Sequence, residues 1–191
     1  MVRSPLHVRF AGGFTLIEVL VALLVLTIGI LGASATQLAA LRSGHQSRLM
    51  SDGVRLAGLL ADSMRANIEP MAAADPDNPY LQLRYDAATD GAPASAPQCL
   101  AGAGCGAVQM AEADIDQVRQ ALHERFPGGR VAVCRDSAAW DAGRGALRWA
   151  CDGASRGAPI VIKLGWRGKQ TGGGGGGDAP SVVIALPGRV E

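Results

Sequence analysis

The segment from Gly12 to Ala33 limits the possible folds of this chain more than any other part of the sequence. It reads GGFTLIEVLVALLVLTIGILGA, and Glu18 is its only charged residue. The 20 residues Phe14–Ala33 would form a helix of about 30 Å, which matches the hydrocarbon core of a bilayer. Two basic residues, Arg3 and Arg9, precede the segment. A basic leader before an apolar run predicts export or membrane insertion.

Two outcomes of this signal compete. In the first, a signal peptidase recognises the small residues Ala33–Ala35 and cleaves after Ala35. The product would be a soluble periplasmic binding protein or enzyme. In the second, the segment stays in the membrane as a helix. No proline occurs between Pro5 and Pro70, so this helix can continue past the membrane and end near Asn67. Apolar residues at helical spacing favour the second outcome; they are Leu38, Leu41, Leu49, Leu56, Leu59, Leu60, Met64 and Ile68.

The chain beyond the long helix has a different composition. Residues 68–110 are rich in proline and small residues, which predicts an irregular connection with one short extended piece at Tyr80–Tyr85. A short helix should follow, with Asp114 as its N-cap and Pro127 in its stop signal. Four strand-like segments then predict an antiparallel meander packed on the upper half of the long helix: Arg130–Cys134, Ala146–Cys151, Ile160–Arg167 and Ser181–Leu186. The expected fold class is α+β.

The third of these strand-like segments, Ile160–Arg167, has a clear alternation. Its isoleucines, Leu164 and Trp166 fall on one face, and Lys163 and Arg167 fall on the other. We therefore expect a sheet with one apolar face that packs on the helix.

The remaining features argue against catalysis and against a cofactor. The net charge of +1 gives no firm indication of a nucleic-acid partner. The glycine run Gly172–Gly177 satisfies a dinucleotide fingerprint trivially, but Pro180 and a strand follow it instead of a helix, so we interpret it as a flexible hairpin connection. There is no nucleophile motif and no metal-binding spacing of cysteine and histidine. We expect no enzymatic activity, no metal and no cofactor.

The sequence GGFTLIEVLVALLVLTIGIL resembles the N-terminal signature of type IV pilins and of the pseudopilins of type II secretion. In that signature a basic leader ends in Gly, Phe usually follows, and Glu lies four residues later; Gly13, Phe14 and Glu18 match these positions. Within the family, LIEVLVALLVLTIGILG and QALHERFPGGRVAVC look most like minor pilins of the PilV type.

The resemblance implies a role for each matched residue. Prepilin peptidase would cleave between Gly13 and Phe14 and methylate the new amino group of Phe14. We also expect Glu18 to attract an N-terminal ammonium in the apolar filament core, either that of its own Phe14 or that of an adjacent subunit, because a buried unpaired carboxylate is costly. The alternative is an acid that is only tolerated near the membrane interface.

The resemblance and the patterns together divide the chain into five parts. Residues 1–13 are a cleaved leader, and residues 14–33 form the membrane-spanning part of the helix that also enters the filament core. Residues 34–67 form its amphipathic part. The irregular connection at 68–110 and a head at 111–191, with a short helix and an antiparallel sheet, follow.

The function that this resemblance implies is that of a minor pilin, which joins other minor pilins and the major pilin to prime or cap a type IV pilus. It would be a single-pass inner-membrane protein in contact with membrane lipid and with the assembly platform, and its head would lie in the periplasm. A minor pseudopilin of type II secretion is the rival within the family.

Four cysteines, Cys99, Cys105, Cys134 and Cys151, all lie in the part that would be exported, where disulfides are expected. Of the three possible connectivities we favour 99–105 and 134–151. The first closes a small glycine-containing loop. The second follows from a hairpin centred on Ala142-Gly143, which would place residues 134 and 151 opposite each other. This register has one weakness, since it sets the valines of the first strand opposite polar or small residues.

Overall fold

The structure is a computed structural model, and it describes residues 12–94, 99, 104–153, 157–168 and 179–187. Most of the predicted leader and the whole of Gly172–Gly177 lie outside the described residues. The chain divides into two compact units, Met1–His45 and Gln46–Glu191.

Helix α1 runs from Leu16 to Ala66, which makes 51 residues. It ends because Asn67 leaves the helical region, with φ −96° and ψ 75°. The short helix α2, Ile68–Ala72, follows and contains Pro70 in its first turn, where a missing N–H costs no helical hydrogen bond. The α+β fold class predicted from the sequence is confirmed, since α1 packs against a small antiparallel sheet.

The buried face of α1 differs from the predicted apolar stripe. Leu59 is 57% exposed and Ile68 is 74% exposed, although both belong to the predicted stripe. The buried residues of the helix are Leu49, Gly53, Ala57, Leu60, Ala61 and Met64. Half of them are glycine or alanine, and at Gly53 an added Cβ would lie 2.6 Å from the ring of Trp166. A prediction based on the spacing of large apolar residues does not identify this face, because glycine and alanine form half of it.

The main sheet contains four antiparallel strands in the order β1-β2-β5-β6. Their bounds are Arg84–Asp86, Arg130–Arg135, Ile160–Gly165 and Val182–Leu186. Val133 lies opposite Ile162, and Leu164 lies opposite Val182. These side chains share the inner face of the sheet and join the core that α1 also enters.

The predicted meander is wrong in one strand. Within the predicted strand Ala146–Cys151, only Ala146–Leu147 (β4) is extended, and it pairs with Trp140–Asp141 (β3) in a separate two-stranded sheet. The fourth strand of the main sheet is instead β1, at the end of the predicted extended piece. The rest of the predicted strand makes other contacts: Arg148 pairs with Asp136, and the Ala150 carbonyl accepts a hydrogen bond from Lys163.

Helix α3, Ala107–Arg125, begins before the predicted N-cap. The Asp114 carboxylate does not cap the helix; it accepts a hydrogen bond of 2.7 Å from the Tyr80 hydroxyl. Tyr80 lies in one of two 3-10 turns, Asp75–Asp77 and Pro79–Gln82, so the predicted irregular connection contains short regular pieces.

We expect the close approach at Gly53 to be visible in stability measurements. A Cβ atom at Gly53 would lie 2.6 Å from Cζ3 of Trp166, whose ring is buried against Phe126 with the two centroids 5.2 Å apart. Gly53→Ala should therefore destabilise the second unit by about 1–3 kcal/mol through overpacking. Gly58 is the matched control, since no heavy atom lies within 4 Å of its Cβ position.

At Gly58 the change to alanine should stabilise the helix by about 0.5–1 kcal/mol, because alanine loses less backbone entropy. Urea unfolding of both variants measures whether each substitution raises or lowers the free energy of unfolding. Equal effects of the two substitutions would contradict the tight contact with Trp166.

Candidate functional site

The candidate site is the N-terminal boundary of α1. Residues from Gly12 to Thr15 are not helical, and the helix begins at Leu16. The Thr15 hydroxyl accepts a hydrogen bond of 3.3 Å from the backbone N–H of Glu18, and the Thr15 carbonyl accepts another from the same N–H at 3.1 Å. Thr15 therefore acts as the N-cap of α1.

Thr15 was missed as a functional position, although the sequence contains the signal. A threonine followed three residues later by glutamate, just before an apolar run, is typical of a capped helix start. The cap explains why Phe14 precedes the first helical turn while Glu18 lies within it. The carboxylate of Glu18 is thus placed at the positive end of the helix dipole.

The first part of α1 has an apolar surface. Phe14 is 82% exposed, and the nine large apolar side chains from Leu16 to Leu26 are between 49% and 79% exposed. By length and composition, α1 is the one helix in the described part of the chain that is able to cross a membrane, with a mean hydropathy of 2.6 over its most apolar window. Such a surface requires an apolar environment or a partner.

The hydroxyl groups of this part of α1 are satisfied inside the helix. Thr27 donates to the Leu24 carbonyl, Ser34 donates to the Ile30 carbonyl, and Thr36 donates to the Ala33 carbonyl, each at 2.8 Å. Hydroxyls that bond to preceding carbonyls need no partner outside the helix. The polar residues of this segment are therefore compatible with a lipid or filament environment.

Gly13 has an open environment. No heavy atom lies within 4 Å of the Cβ position at Gly13, and the same is true of Gly12. A larger residue at either position meets no steric obstacle within the described structure.

Residues 9–34 match the family model described as the prokaryotic N-terminal methylation motif. The chain carries a type IV pilin-like signal. The match includes Gly13, Phe14 and Glu18 and supports a pilin-like or pseudopilin role. Neither the curated proteins nor the solved structures include a significant match to the chain.

The methylation motif indicates how the protein is processed and what it assembles with. It implies processing by a prepilin peptidase and assembly with other pilins. Together with the apolar helix it fits membrane anchoring and incorporation into a pilus. It also suggests a structural protein rather than an enzyme.

The second unit contains two disulfides, and they join Cys99 to Cys105 and Cys134 to Cys151. These are the favoured pairs, but the second pair does not arise from the predicted hairpin. Cys134 lies opposite Val161 of β5, and the β3–β4 hairpin has Trp140 opposite Leu147. The bridge instead connects β2 to the segment between β4 and β5 that contains Cys151.

The second unit buries two charged side chains next to each other, one of them on β5. Asp136 and Lys163 are 1% and 0% exposed, and the Lys163 ammonium donates to the Asp136 carboxylate. Lys163 also donates to the Ala150 carbonyl at 2.7 Å, and Arg148 lies 3.3 Å from the second oxygen of Asp136. Among the described residues, no group of three or more His, Cys, Asp or Glu is placed to hold a metal ion.

A cleft of about 830 Å³ borders α3 and β1, and its charged residues have both signs: Asp77, Arg84, Asp90, Glu112, Asp116 and Arg119. Beside it, Tyr85 donates to the Gly91 carbonyl at 2.7 Å. Burial raises the pKa of the Tyr85 hydroxyl, and Asp90 raises it further. The hydroxyl therefore stays protonated at neutral pH and acts as a structural donor, not as a base.

The two disulfides should contribute unequally to stability. Replacing Cys134 and Cys151 by serine should lower the free energy of unfolding by about 3 kcal/mol, because the closed loop restricts the unfolded chain. The shorter loop of Cys99–Cys105 should contribute less. Urea unfolding of the two double variants measures both values, and a larger loss for the 99–105 pair would contradict the loop argument.

Proposed function

We propose that this chain is a minor pilin that primes or caps a type IV pilus. It is held in the inner membrane by the first part of α1, and its head lies in the periplasm. Its partners are prepilin peptidase, other minor pilins with the major pilin, and the inner-membrane assembly platform. The observation that carries the proposal is the methylation motif at residues 9–34 followed directly by the exposed apolar surface of α1.

The orientation in the membrane is supported by charge and by the cysteines. Arg3 and Arg9 precede the apolar run, and basic residues stay on the cytoplasmic side. The disulfides lie beyond the run, in the part that would cross to the other side. Disulfides persist in the oxidising periplasm and are rare in the cytosol, which agrees with this orientation.

Release by a signal peptidase after Ala35 is less compatible with the structure. Ala33–Ala35 lies inside α1, which continues without a break to Ala66. A peptidase needs its substrate in an extended form, so cleavage there would require several helical turns to unfold. The Gly12–Thr15 segment is already non-helical, which supports cleavage at Gly13.

Processing gives the first prediction for this function. The mature chain should begin at Phe14 with an N-methyl group, and Gly13→Val should abolish most of the cleavage while Gly13→Ala reduces it less. The space around Gly13 is open in the folded chain, so any loss comes from the peptidase and not from folding. Gly12→Val is the matched control with the same open surroundings and should be processed.

Intact mass and N-terminal peptide mapping measure this result. An N-terminus at Thr36 in the unaltered protein would overturn the proposed processing.

The experiment that tests the pilin role is incorporation. A tagged chain should appear in sheared pili together with other minor pilins, and deletion of its gene should reduce piliation. Recovery only with components of a type II secretion machine, with pili unaffected, would assign the chain to the pseudopilins instead.

A further inference from the structure

A continuous segment between β2 and β5 covers the outer face of the main sheet; we name this segment, Asp136–Gly153, the strap. Its Cys151 is bonded to Cys134 of β2. Its Trp149 lies against Gly165 of β5, where an added Cβ would be 2.9 Å from the ring, and Arg130 of β2 stacks on the same ring at 4.4 Å. The strap is therefore attached to the sheet by one covalent bond and by side-chain contacts.

The strap encloses one lysine. Lys163 lies in the middle of β5, opposite Ala132 and Val183, and its side chain is on the outer face of the sheet. That face would be open to water without the strap, yet Lys163 is 0% exposed. Both hydrogen-bond partners of its ammonium, the Asp136 carboxylate and the Ala150 carbonyl, belong to the strap.

The closed strap buries groups that water would solvate well. The Lys163–Asp136 pair loses its hydration, and burying two charges is costly even when they are paired. Nε1 of Trp149 is buried and has no hydrogen-bond partner among the described residues. Opening the strap returns Lys163 and Trp149 to water, which offsets part of the free energy of its noncovalent contacts. Those contacts include the Arg148–Asp136 ion pair and the stacking of Arg130 on Trp149. The disulfide adds a covalent attachment of the strap to the sheet.

We propose that the strap is a thiol-controlled cover that hides Lys163 when Cys134–Cys151 is oxidised and exposes the lysine amine when it is reduced. The reductant is a dithiol. One of its thiolates attacks a sulfur of the bridge, which breaks the S–S bond, releases the other cysteine as a thiolate and forms a mixed disulfide. Its second thiol, as the thiolate, then closes the dithiol into a disulfide and displaces the protein sulfur that was attacked first. Two electrons and two protons convert the bridge into two cysteine thiols, and the dithiol becomes a disulfide. This inference does not depend on the pilin role.

The sequence provides a sharp test, because Lys163 and Lys169 are its only lysines. The full chain in detergent is treated with an amine-acylating ester, before and after reduction by dithiothreitol, and acylation is followed by peptide mass spectrometry. Acylation of Lys163 should be at least about tenfold faster in the reduced chain. Cys134→Ser/Cys151→Ser should acylate as fast as the reduced chain without any reductant.

Two controls separate strap opening from other effects. Cys99→Ser/Cys105→Ser removes the other bridge and should leave Lys163 as protected as in the parent. Hydrogen exchange at the amides of Val133 and Ile162 should stay slow after reduction, because the main sheet remains folded.

Equal acylation of Lys163 in both redox states would overturn the proposal. Loss of amide protection throughout the main sheet on reduction would overturn it as well, since the bridge would then hold the whole unit and not the strap.

Discussion

Asp136→Ala should destabilise the second unit by about 3–5 kcal/mol, the largest loss of stability that we expect from a single substitution. The change removes the carboxylate that faces the Lys163 ammonium and leaves that ammonium fully buried with one carbonyl partner. Removing one partner of a buried ion pair leaves an uncompensated charge, which costs far more than the pair contributes. Arg148 also loses its partner, but its side chain is 31% exposed and can be hydrated.

The matched control is the double variant Asp136→Ala/Lys163→Met. Methionine fills a volume similar to that of lysine and brings no charge, so most of the lost stability should return. Urea unfolding of the full chain in detergent measures the parent and both variants. A loss below about 1 kcal/mol for Asp136→Ala would show that water reaches Lys163 in the native protein.

The features that could be predicted from the sequence are those with a local signal. The long helix follows from an apolar run and from the absence of proline between Pro5 and Pro70, and α1 ends at Ala66. Three of the four strands in the main sheet lie in segments that the sequence predicts as strands. The N-terminal methylation motif at residues 9–34 is contiguous, so it too could be recognised without a structure.

The features that were missed depend on contacts between distant segments. Pairing β1 with β2 joins Tyr85 to Val131 across 46 residues, and no local pattern selects that partner. Lys163 falls on the polar face of an alternating segment, which is typical of a surface residue. It is buried only because the strap covers it. Likewise, Gly53 appears as a weak point of a helix until Trp166 is placed against it.

The second large effect is expected at Glu18. A carboxylate at the centre of a bilayer costs about 2.5–3.5 kcal/mol, and Glu18 is in the first turn of α1, where the cost is smaller. The N–H groups at the helix start stabilise a negative charge there by a further 0.3–1 kcal/mol or so. Leucine would still anchor the helix better, so the membrane alone does not account for the carboxylate.

Under the proposed function, the partner of Glu18 is an ammonium that only processing creates. Cleavage after Gly13 frees the amino group of Phe14, which lies in the non-helical segment directly before the Thr15 cap. Burying an unpaired carboxylate in an apolar filament core costs much more free energy than burying a paired one. The pair therefore favours a subunit that enters the filament in the correct register. The ammonium can belong to the same chain or to an adjacent subunit.

We therefore expect Glu18→Leu to be inserted in the membrane and cleaved at Gly13 like the parent, yet to be almost absent from pili. Glu18→Asp keeps the charge with a shorter reach, and its incorporation should fall between the two. Insertion and cleavage serve as the internal control, because they separate an assembly defect from a failure of anchoring or processing. The measurement is the amount of each variant in sheared pili relative to membranes at matched expression. Incorporation of Glu18→Leu at the level of the parent would show that the carboxylate has no pairing role and is only tolerated near the membrane interface.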